Sequence, residues 1–350
     1  MKRLMLVALL VFVVSFSGAA AAQVRVGVAM PTQSLQRWNQ DGANMKAMLE
    51  EAGYVVDLQY ANNNVALQVS QIENMILNGA DILVIASIDG SSLGTVLEIA
   101  KEEGIIVIAY DRLIMETDAV SYYATFDNYM VGTIQGQYLV DRLGLDTLEG
   151  TVNIELVGGS PDDNNARYFY QGAFDVIEPY INAGKVRVPS GQVRFEEVAT
   201  PTWASEVAQA RMDNLIAANY SDGTPLHAVL CSNDSTALGV TNALINAGFE
   251  ADNWPIITGQ DCDIANVKNM IAGRQAMSVF KDTRTLAANV VKMIQAIVNG
   301  DEVPVNDTET YFNGVYIVPT YLSAPVFADI NNYEELLIES GYYTREQLAN

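Results

Sequence analysis

Polar side chains follow a predicted strand in the stretch "GGSPDDNNARYFYQG" (158–172). Asp163, Asn164 and Asn165 stand between the apolar run "NIELV", which predicts a strand, and an amphipathic run that predicts a helix. Asp and Asn commonly cap helices and shape turns. Ligands of open α/β sheets also bind at this junction, beyond the carboxyl ends of the strands. This stretch alone leaves both interpretations open.

The same pattern recurs at the ends of other predicted strands. The residues found there, in "SLQRWNQ", "ASIDG", "AYDRL", "EEVATPTW", "CSNDS", "GQDCD" and "VFKD", are Arg37, Trp38, Asp89, Asp111, Arg112, Trp203, Asn233, Asp234, Asp261 and Lys281. Helix capping explains some of the acidic residues, above all Asp234 and Asp282. It does not explain why two arginines, a lysine and two tryptophans stand at the same end of the strands.

Together these residue types match one kind of ligand. Carboxylates accept hydrogen bonds from hydroxyl groups, arginine and lysine donate to them, and asparagine does both. The flat faces of indole rings pack against the C–H faces of a pyranose. The set therefore predicts a binding site for a small, neutral, polyhydroxylated ring.

The elements that would position these residues alternate between strand and helix. The apolar runs "VRVGVAM", "VVDLQYA", "ILVIAS", "IIVIAY" and "YYATF" are separated by helical segments. In one of these segments, Val65, Val69, Ile72 and Ile76 form a single stripe that ends before Gly79. Buried apolar strands joined by amphipathic helices predict a parallel sheet with helices on both faces.

A second set of strands follows in "VNIELVGG", "GQVRFEEV", "HAVLCSN", "PIITGQ" and "AMSVFK", again with helices between them. No Pro- or Ser-rich linker separates the two halves, and 303–325 reads as an irregular extended stretch that crosses between them. Two α/β lobes without a flexible tether imply a cleft and a hinge.

The first 22 residues, "MKRLMLVALLVFVVSFSGAAAA", have the pattern of a secretory signal peptide cleaved before Gln23. No cysteine follows this site to carry a lipid anchor, so we expect a free periplasmic protein.

The formal net charge of the chain is −23. Such an acidic surface repels phosphate backbones and excludes nucleic acid as a partner.

Only two cysteines, Cys231 and Cys262, and one histidine, His227, are present. A zinc site needs more such ligands. Both cysteines end predicted strands, so a disulfide between them is sterically conceivable in an oxidising compartment. Two small, half-buried, unbonded residues are the favoured interpretation.

The segments "RWNQD", "QIENMILNGADILVIASIDG", "IAYDRLI", "GGSPDDNNA", "CSND", "TGQD" and "VFKDTR" closely resemble the periplasmic xylose-binding and multiple-monosaccharide-binding receptors. These are type I solute-binding proteins that serve ABC sugar importers, and the resemblance covers essentially the whole mature chain. It implies two Rossmann-like lobes joined by three crossings, with a cleft that closes on one aldopyranose. It also implies no cofactor, and an ABC permease as partner.

The resemblance further implies roles for particular residues. Those expected to hydrogen-bond the sugar are Arg37, Asp111, Arg112, Asn165, Asn233, Asp261 and Lys281. Trp38 and Trp203 would stack on its two faces, and Asp89 would add an acceptor. Asp162 or Asp163 would cap the helix. The galactose-binding branch carries an acidic calcium loop, but no D-x-D-x-D-G run occurs here, so we expect no metal site.

The expected lobes comprise residues 23–128 with 262–306, and residues 129–261 with 307–350. We expect a monomer whose ligand is an aldopyranose such as xylose, glucose, galactose or arabinose. The sequence does not decide between these sugars. It also leaves open whether the closed form is read by a membrane sensor or chemoreceptor as well as by a permease.

Two other classes of protein share parts of this pattern. A glycosidase would need paired carboxylates, such as Asp111 and Asp261, one of them with a raised pKa. Cations close in sequence lower a carboxyl pKa, which disfavours that alternative. A transcriptional regulator with the same core would need a basic helix-turn-helix where the signal peptide stands.

Overall fold

The computed structural model describes residues 23–349, so the predicted signal peptide lies outside the described residues. Six parallel strands form the sheet of the first lobe: β1 (Arg25–Met30), β2 (Val55–Tyr60), β3 (Ile82–Ile85), β4 (Ile106–Tyr110), β5 (Tyr122–Phe126) and β11 (Thr320–Ser323). Their spatial order is β2-β1-β3-β4-β5-β11. The carboxyl ends of all six strands therefore meet at one edge.

Helices cover both faces of this sheet, which explains why its strands are apolar on both sides. One face packs against α1 (Gln36–Glu51) and α10 (Thr283–Asn299). The other face packs against α2 (Val65–Leu77) and α3 (Gly94–Glu102). The predicted parallel α/β arrangement is confirmed.

The second lobe repeats this plan. Its parallel strands are β6 (Val152–Val157), β7 (Val186–Arg187), β8 (Ala228–Cys231) and β9 (Ile256–Ile257), in the order β7-β6-β8-β9. A parallel bridge between Gln260 and Val279 adds β10 (Met277–Phe280) to this sheet. The last strand, β12 (Val326–Asp329), then pairs antiparallel with β10.

Helices α4 (Asn128–Leu143) and α5 (Asn164–Asn182) cover one face of the second sheet, and α7 (Ser205–Asn219) and α8 (Asp234–Asn246) cover the other. The shorter elements are α6 (Phe195–Val198), a 3-10 turn (Pro201–Trp203), α9 (Ile264–Ile271), a π-helical turn (Glu334–Glu339) and α11 (Arg345–Leu348). Helices α4 and α5 touch through glycine: a Cβ on Gly132 would lie 2.0 Å from the carbonyl oxygen of Phe169. Helix α5 begins at the polar stretch 158–165, as predicted.

One strand prediction is wrong. The segment "GQVRFEEV" contains the short helix α6 instead, and the edge strand of the second sheet is β7. Phe195 and Val198 are both buried and stand three residues apart, which is helical spacing. The carboxylate of Glu197 also accepts from the backbone N–H of Arg194 at 3.1 Å, a capping contact that starts the helix.

The chain passes between the lobes three times, after β5, after β10 and after β11, so the predicted three crossings are present. The expected segment boundaries differ from the observed strand pairing. Residues 262–280 lie with the second lobe because β10 pairs with β12. Residues 307–323 lie with the first lobe because β11 pairs with β5.

Cys231 and Cys262 are buried and carry free thiols. Burial raises the pKa of both thiols.

No helix between residues 23 and 349 is both long and apolar enough to cross a membrane.

Candidate functional site

The carboxyl ends of strands from both lobes face one cavity. It is lined by Leu35, Arg37, Trp38, Asp111, Arg112, Asp163, Phe169, Trp203, Asn233, Gln260, Asp261, Asp263 and Lys281. Eight of the ten sequence-predicted site residues are among them; the two that are not are Asp89 and Asn165. The two lobes therefore converge on a single polar and aromatic site.

Arg37, in the first turn of α1, is held by three carboxylates. Its Nε donates to Asp41 at 3.0 Å, its Nη1 donates to Asp261 at 3.1 Å, and its Nη2 pairs with Asp111. Burial disfavours the charge, but these carboxylates outweigh it and raise the pKa of Arg37. Burial also raises the pKa of Asp41 to about 6. The guanidinium is thus fixed in place, and Asp261 brings it a contact from the second lobe.

Asp111 follows β4 in the left-handed backbone region, with φ of 60°. Its carbonyl oxygen accepts from the hydroxyls of Tyr123 and Thr125, at 2.6 and 2.9 Å. The same oxygen accepts from Asn165 Nδ2 at 2.6 Å, which reaches it from the other lobe. Burial works to raise the pKa of the Asp111 carboxyl, but Arg37 and the other nearby cations lower it below its ordinary value.

The expectation for Asn165 therefore needs correction. Its side chain is buried and engaged with the Asp111 carbonyl and with the Tyr123 hydroxyl, 3.2 Å from its Oδ1, and it does not line the cavity. Asp89 does not line the cavity either. Its carboxylate accepts from Ser91 N at 2.9 Å and Ser92 Oγ at 2.6 Å, and so closes its own turn.

Asp163 is the N-cap of α5, as one of the two capping alternatives predicted, and it does more than cap. Its Oδ1 accepts from Asn165 N at 3.0 Å, while its Oδ2 accepts from Trp203 Nε1 at 3.2 Å. Arg112 Nε lies 2.9 Å from the same Oδ2 as an ion pair across the lobes. Burial raises the pKa of Asp163. The sequence offered Asp163 as one of two helix caps and as one of the polar residues at this strand end, without counting it among the sugar-binding residues.

Lys281 lies in the crossing that follows β10, and not in the body of the first lobe. Its side chain is 2% exposed, and its Nζ is 3.1 Å from Asp261 Oδ1. The same Nζ lies 5.3 Å from the ring centroid of Phe169. Phe169 also lines the cavity, although the polar strand ends did not single it out. Phe169 is the sixth residue of α5, and a side chain near the start of a helix that follows a strand end can face both core and cleft.

The two predicted stacking residues, Trp38 and Trp203, are both buried and both line the cavity. The guanidinium carbons of Arg37 and Arg112 each lie 5.0 Å from the Trp38 ring centroid. The Trp203 ring lies against the backbone of Gly159, where a Cβ would be 1.9 Å from the indole. Glycine in the polar stretch is therefore required for this indole position.

Asn233, and not Asp234, is the N-cap of α8, and its Oδ1 accepts from Thr236 N at 2.9 Å. The capping residue Asn233 nevertheless lines the cavity. Asp234 is buried beside the cavity, where its Oδ2 accepts from Asp263 N at 2.8 Å. Burial and the neighbouring carboxylates raise the pKa of Asp234.

Two cavity-lining side chains that the sequence did not single out keep free acceptors. Gln260 Oε1 and Asp263 Oδ1 are shielded from solvent and have no hydrogen-bond partner among residues 23–349. Burial, with the nearby Asp261, raises the pKa of Asp263 to about 7. Buried polar atoms are normally paired, so these two acceptors favour a ligand that carries hydroxyl groups.

Donors, acceptors and two indole rings thus surround a cavity between two hinged α/β lobes. This combination defines a protein that binds a small ligand by closing its lobes around it. Residues 26–302 match the family model described as "Periplasmic binding protein domain". The chain belongs to this family.

Related proteins cover nearly the whole chain. The multiple sugar-binding periplasmic receptor ChvE of Rhizobium radiobacter is 49% identical over 94% of this chain and 93% of its own length. The D-xylose-binding periplasmic protein of Escherichia coli is 38% identical over 94% of each chain.

Solved structures agree with this assignment. An ABC transporter solute-binding protein from Clostridium phytofermentans, with bound β-D-glucose, is 66% identical with a TM-score of 0.91, over 93% of this chain and all of that one. A carbohydrate transporter solute-binding protein from Chloroflexus aurantiacus, in complex with D-glucose, is 34% identical with a TM-score of 0.84, over 94% of this chain and 99% of that one.

Proposed function

We propose that this protein captures one monosaccharide, an aldopyranose such as glucose, xylose, galactose or arabinose, and delivers it to an ABC sugar permease. The observation that carries the proposal is the meeting of charged side chains and two indole rings in one interlobe cavity. Relatives described as a sugar-binding receptor and a xylose-binding protein, at 49% and 38% identity, and a 66% identical solute-binding protein with bound β-D-glucose support the ligand class.

In this proposal, Arg37, Asp111, Arg112, Asp261 and Lys281 form charge-assisted hydrogen bonds to the sugar hydroxyls. The asparagine that caps α8 adds a further polar contact, because its Oδ1 is occupied by the cap and its amide nitrogen is left for the ligand. The two cavity tryptophans pack against the apolar faces of the ring.

Binding of this kind couples to lobe closure. A ligand shifts an open–closed equilibrium only by its different affinity for the two states. The first lobe contributes Arg37 and Trp38, the second contributes Trp203 and Asp261, and Lys281 lies in a crossing. A sugar that contacts both lobes therefore favours the closed state, which a permease can distinguish from the open one.

The protein works without catalysing a reaction, as a monomer exported to the periplasm. Relatives described as a sugar-binding receptor and a xylose-binding protein support a binding role without catalysis. A relative described as a sugar-binding receptor favours a second role, in which the closed form also docks on a membrane sensor.

A thermal-shift and calorimetric screen of monosaccharides tests this function. A sugar present at one hundred times its dissociation constant stabilises the folded state by about 2.7 kcal/mol, which is readily seen as a raised Tm. Sucrose and a free amino acid serve as controls, since neither is a single sugar ring. If no monosaccharide raises the Tm, the proposed function is wrong.

A further inference from the structure

Helix α1 joins the lobes on a second side, away from the cavity. Arg37 and Trp38 face the cavity, whereas Gln36 and Gln40, one turn apart, reach the C-terminal segment of the second lobe. Both glutamines are half-buried. These two residues have no part in the proposed sugar site.

The partner of both glutamines is the hydroxyl of Tyr343. Gln36 Nε2 donates to this oxygen at 2.6 Å, and Gln40 Nε2 donates to it at 3.1 Å. The neighbouring Tyr342 donates to Gln40 Oε1 at 3.1 Å. Gln36 Oε1 in turn accepts from the backbone N–H of Ile264, at the start of α9, at 3.1 Å. Four hydrogen bonds therefore join the two side chains of α1 to the second lobe.

Tyr343 is itself anchored in the second lobe. It is 3% exposed and packs in a cluster that includes Val267, Leu337 and Leu348. Its hydroxyl donates to the carbonyl of Cys262 at 2.9 Å. Cys262 directly follows Asp261, whose carboxylate faces the cavity. The tyrosine hydroxyl thus connects the outer side of α1 to the turn that carries a cavity carboxylate.

We infer that Gln36, Gln40 and Tyr343 form an interlobe latch that stabilises the closed arrangement and raises ligand affinity without contacting the ligand. These residues are positioning residues, and the effect on affinity rests on the proposed function. The core of each lobe is complete without the latch bonds, because they lie between the lobes. Their contribution is made only when α1 lies against the second lobe.

A latch of this kind changes binding in a characteristic way. The apparent dissociation constant equals the dissociation constant of the closed form divided by the fraction of ligand-free protein that is closed. Loss of the latch therefore weakens the binding of every accepted sugar by the same factor. The open protein still admits the sugar, so the dissociation rate rises while the association rate stays unchanged.

Tyr343→Phe tests the latch because it keeps the buried ring and removes only the hydroxyl. Loss of the two glutamine contacts, at about 0.5–1.5 kcal/mol each, predicts affinity lower by about fivefold to a hundredfold. The ratio of affinities for any two sugars should stay at the wild-type value. Tyr170→Phe is the matched control, since the Tyr170 hydroxyl donates to the Val193 carbonyl inside the second lobe. It should bind sugar as the wild type does.

A second measurement needs no sugar. Spin labels at Glu102 and Glu178, exposed positions in different lobes, report the population of closed molecules in the ligand-free protein. Tyr343→Phe and Gln36→Ala should both lower this population, and Tyr170→Phe should not. A lowered population in a protein that binds no monosaccharide would support the latch and refute the proposed function. An unchanged population, or a changed preference among sugars, would overturn the latch.

Discussion

Asn165 Nδ2 donates to the backbone carbonyl of Asp111 at 2.6 Å, so the polar turn of the second lobe holds the end of a strand in the first. Asp111 stands in the left-handed region, where a non-glycine residue needs support from its surroundings. The asparagine thus acts on the cavity through the aspartate that it fixes. The two lobes share a hydrogen bond directly behind a proposed ligand-binding carboxylate.

We expect Asn165→Ala to weaken sugar binding by about threefold to tenfold, mainly through loss of its hydrogen bond to the Asp111 carbonyl. The effect should be small because the Asp111 carbonyl keeps the hydroxyls of Tyr123 and Thr125. Calorimetric titration measures it. A loss of a thousandfold would mean that Asn165 contacts the sugar itself.

Gly159→Ala should abolish most sugar binding. The new Cβ would lie 1.9 Å from the Trp203 ring, so the indole must leave its position in the cavity. Gly150→Ala is the matched control, because a Cβ there meets no atom within 4 Å. Titration of both variants with the same sugar compares them, and equal affinities would remove Trp203 from the site.

Tryptophan fluorescence should change when sugar binds, and the change should survive in Trp254→Phe. Trp254 lies away from the cavity, with its Nε1 donating to the Arg274 carbonyl at 2.8 Å. Trp38→Ala should reduce the spectral change and weaken binding by several kcal/mol at most, through lost contact area and an emptied pocket. If the fluorescence change disappears in Trp254→Phe, then Trp254 and not a cavity tryptophan produces it.

Asp261→Asn should lower sugar affinity by about tenfold to a hundredfold or more, because a hydrogen bond to a charged group contributes about 1.5–3 kcal/mol. Asparagine suits this position, since Asp261 has a φ of 97° and Asn tolerates the left-handed region well. The substitution removes the charge that Arg37 and Lys281 share. Urea unfolding should show a folded variant, and an unfolded one would make Asp261 a structural residue.

Stability should fall as the pH rises from about 4 to about 7. Burial raises the pKa of Asp263 to about 7 and of Asp41 to about 6, above the value of about 3.9 for an exposed aspartate. The folded state therefore holds protons that the unfolded state has released in this range, and folding weakens as they are lost. Asp263→Asn should reduce this slope. Urea unfolding at pH 4.5, 6 and 8 measures it, and an unchanged slope in the variant would contradict the assignment.

Most of the fold could be predicted from local patterns. Apolar strands alternating with amphipathic helices determine a parallel α/β lobe, because a sheet covered on both faces needs strands that are apolar on both sides. The carboxyl ends of parallel strands meet at one edge, so polar residues in those positions identified Arg37, Asp111 and Asp261 as neighbours. The stretch 158–165 predicted both a cap and a ligand contact: Asp163 caps α5 and also lines the cavity, whereas Asn165, the predicted contact, does not line it.

Tertiary structure decided what strand ends alone could not. The lobe boundaries depend on which strands β10 and β11 pair with, and pairing between distant segments leaves no local signal. Asn165 and Asp89 stand at strand ends as predicted, yet their side chains satisfy backbone and turn partners instead of the cavity. Gln260 and Asp263 were missed for the converse reason: their free acceptors exist only because the second lobe buries them beside the cleft. A side chain's type and place along a strand follow from sequence, but its partners follow from how the two lobes meet.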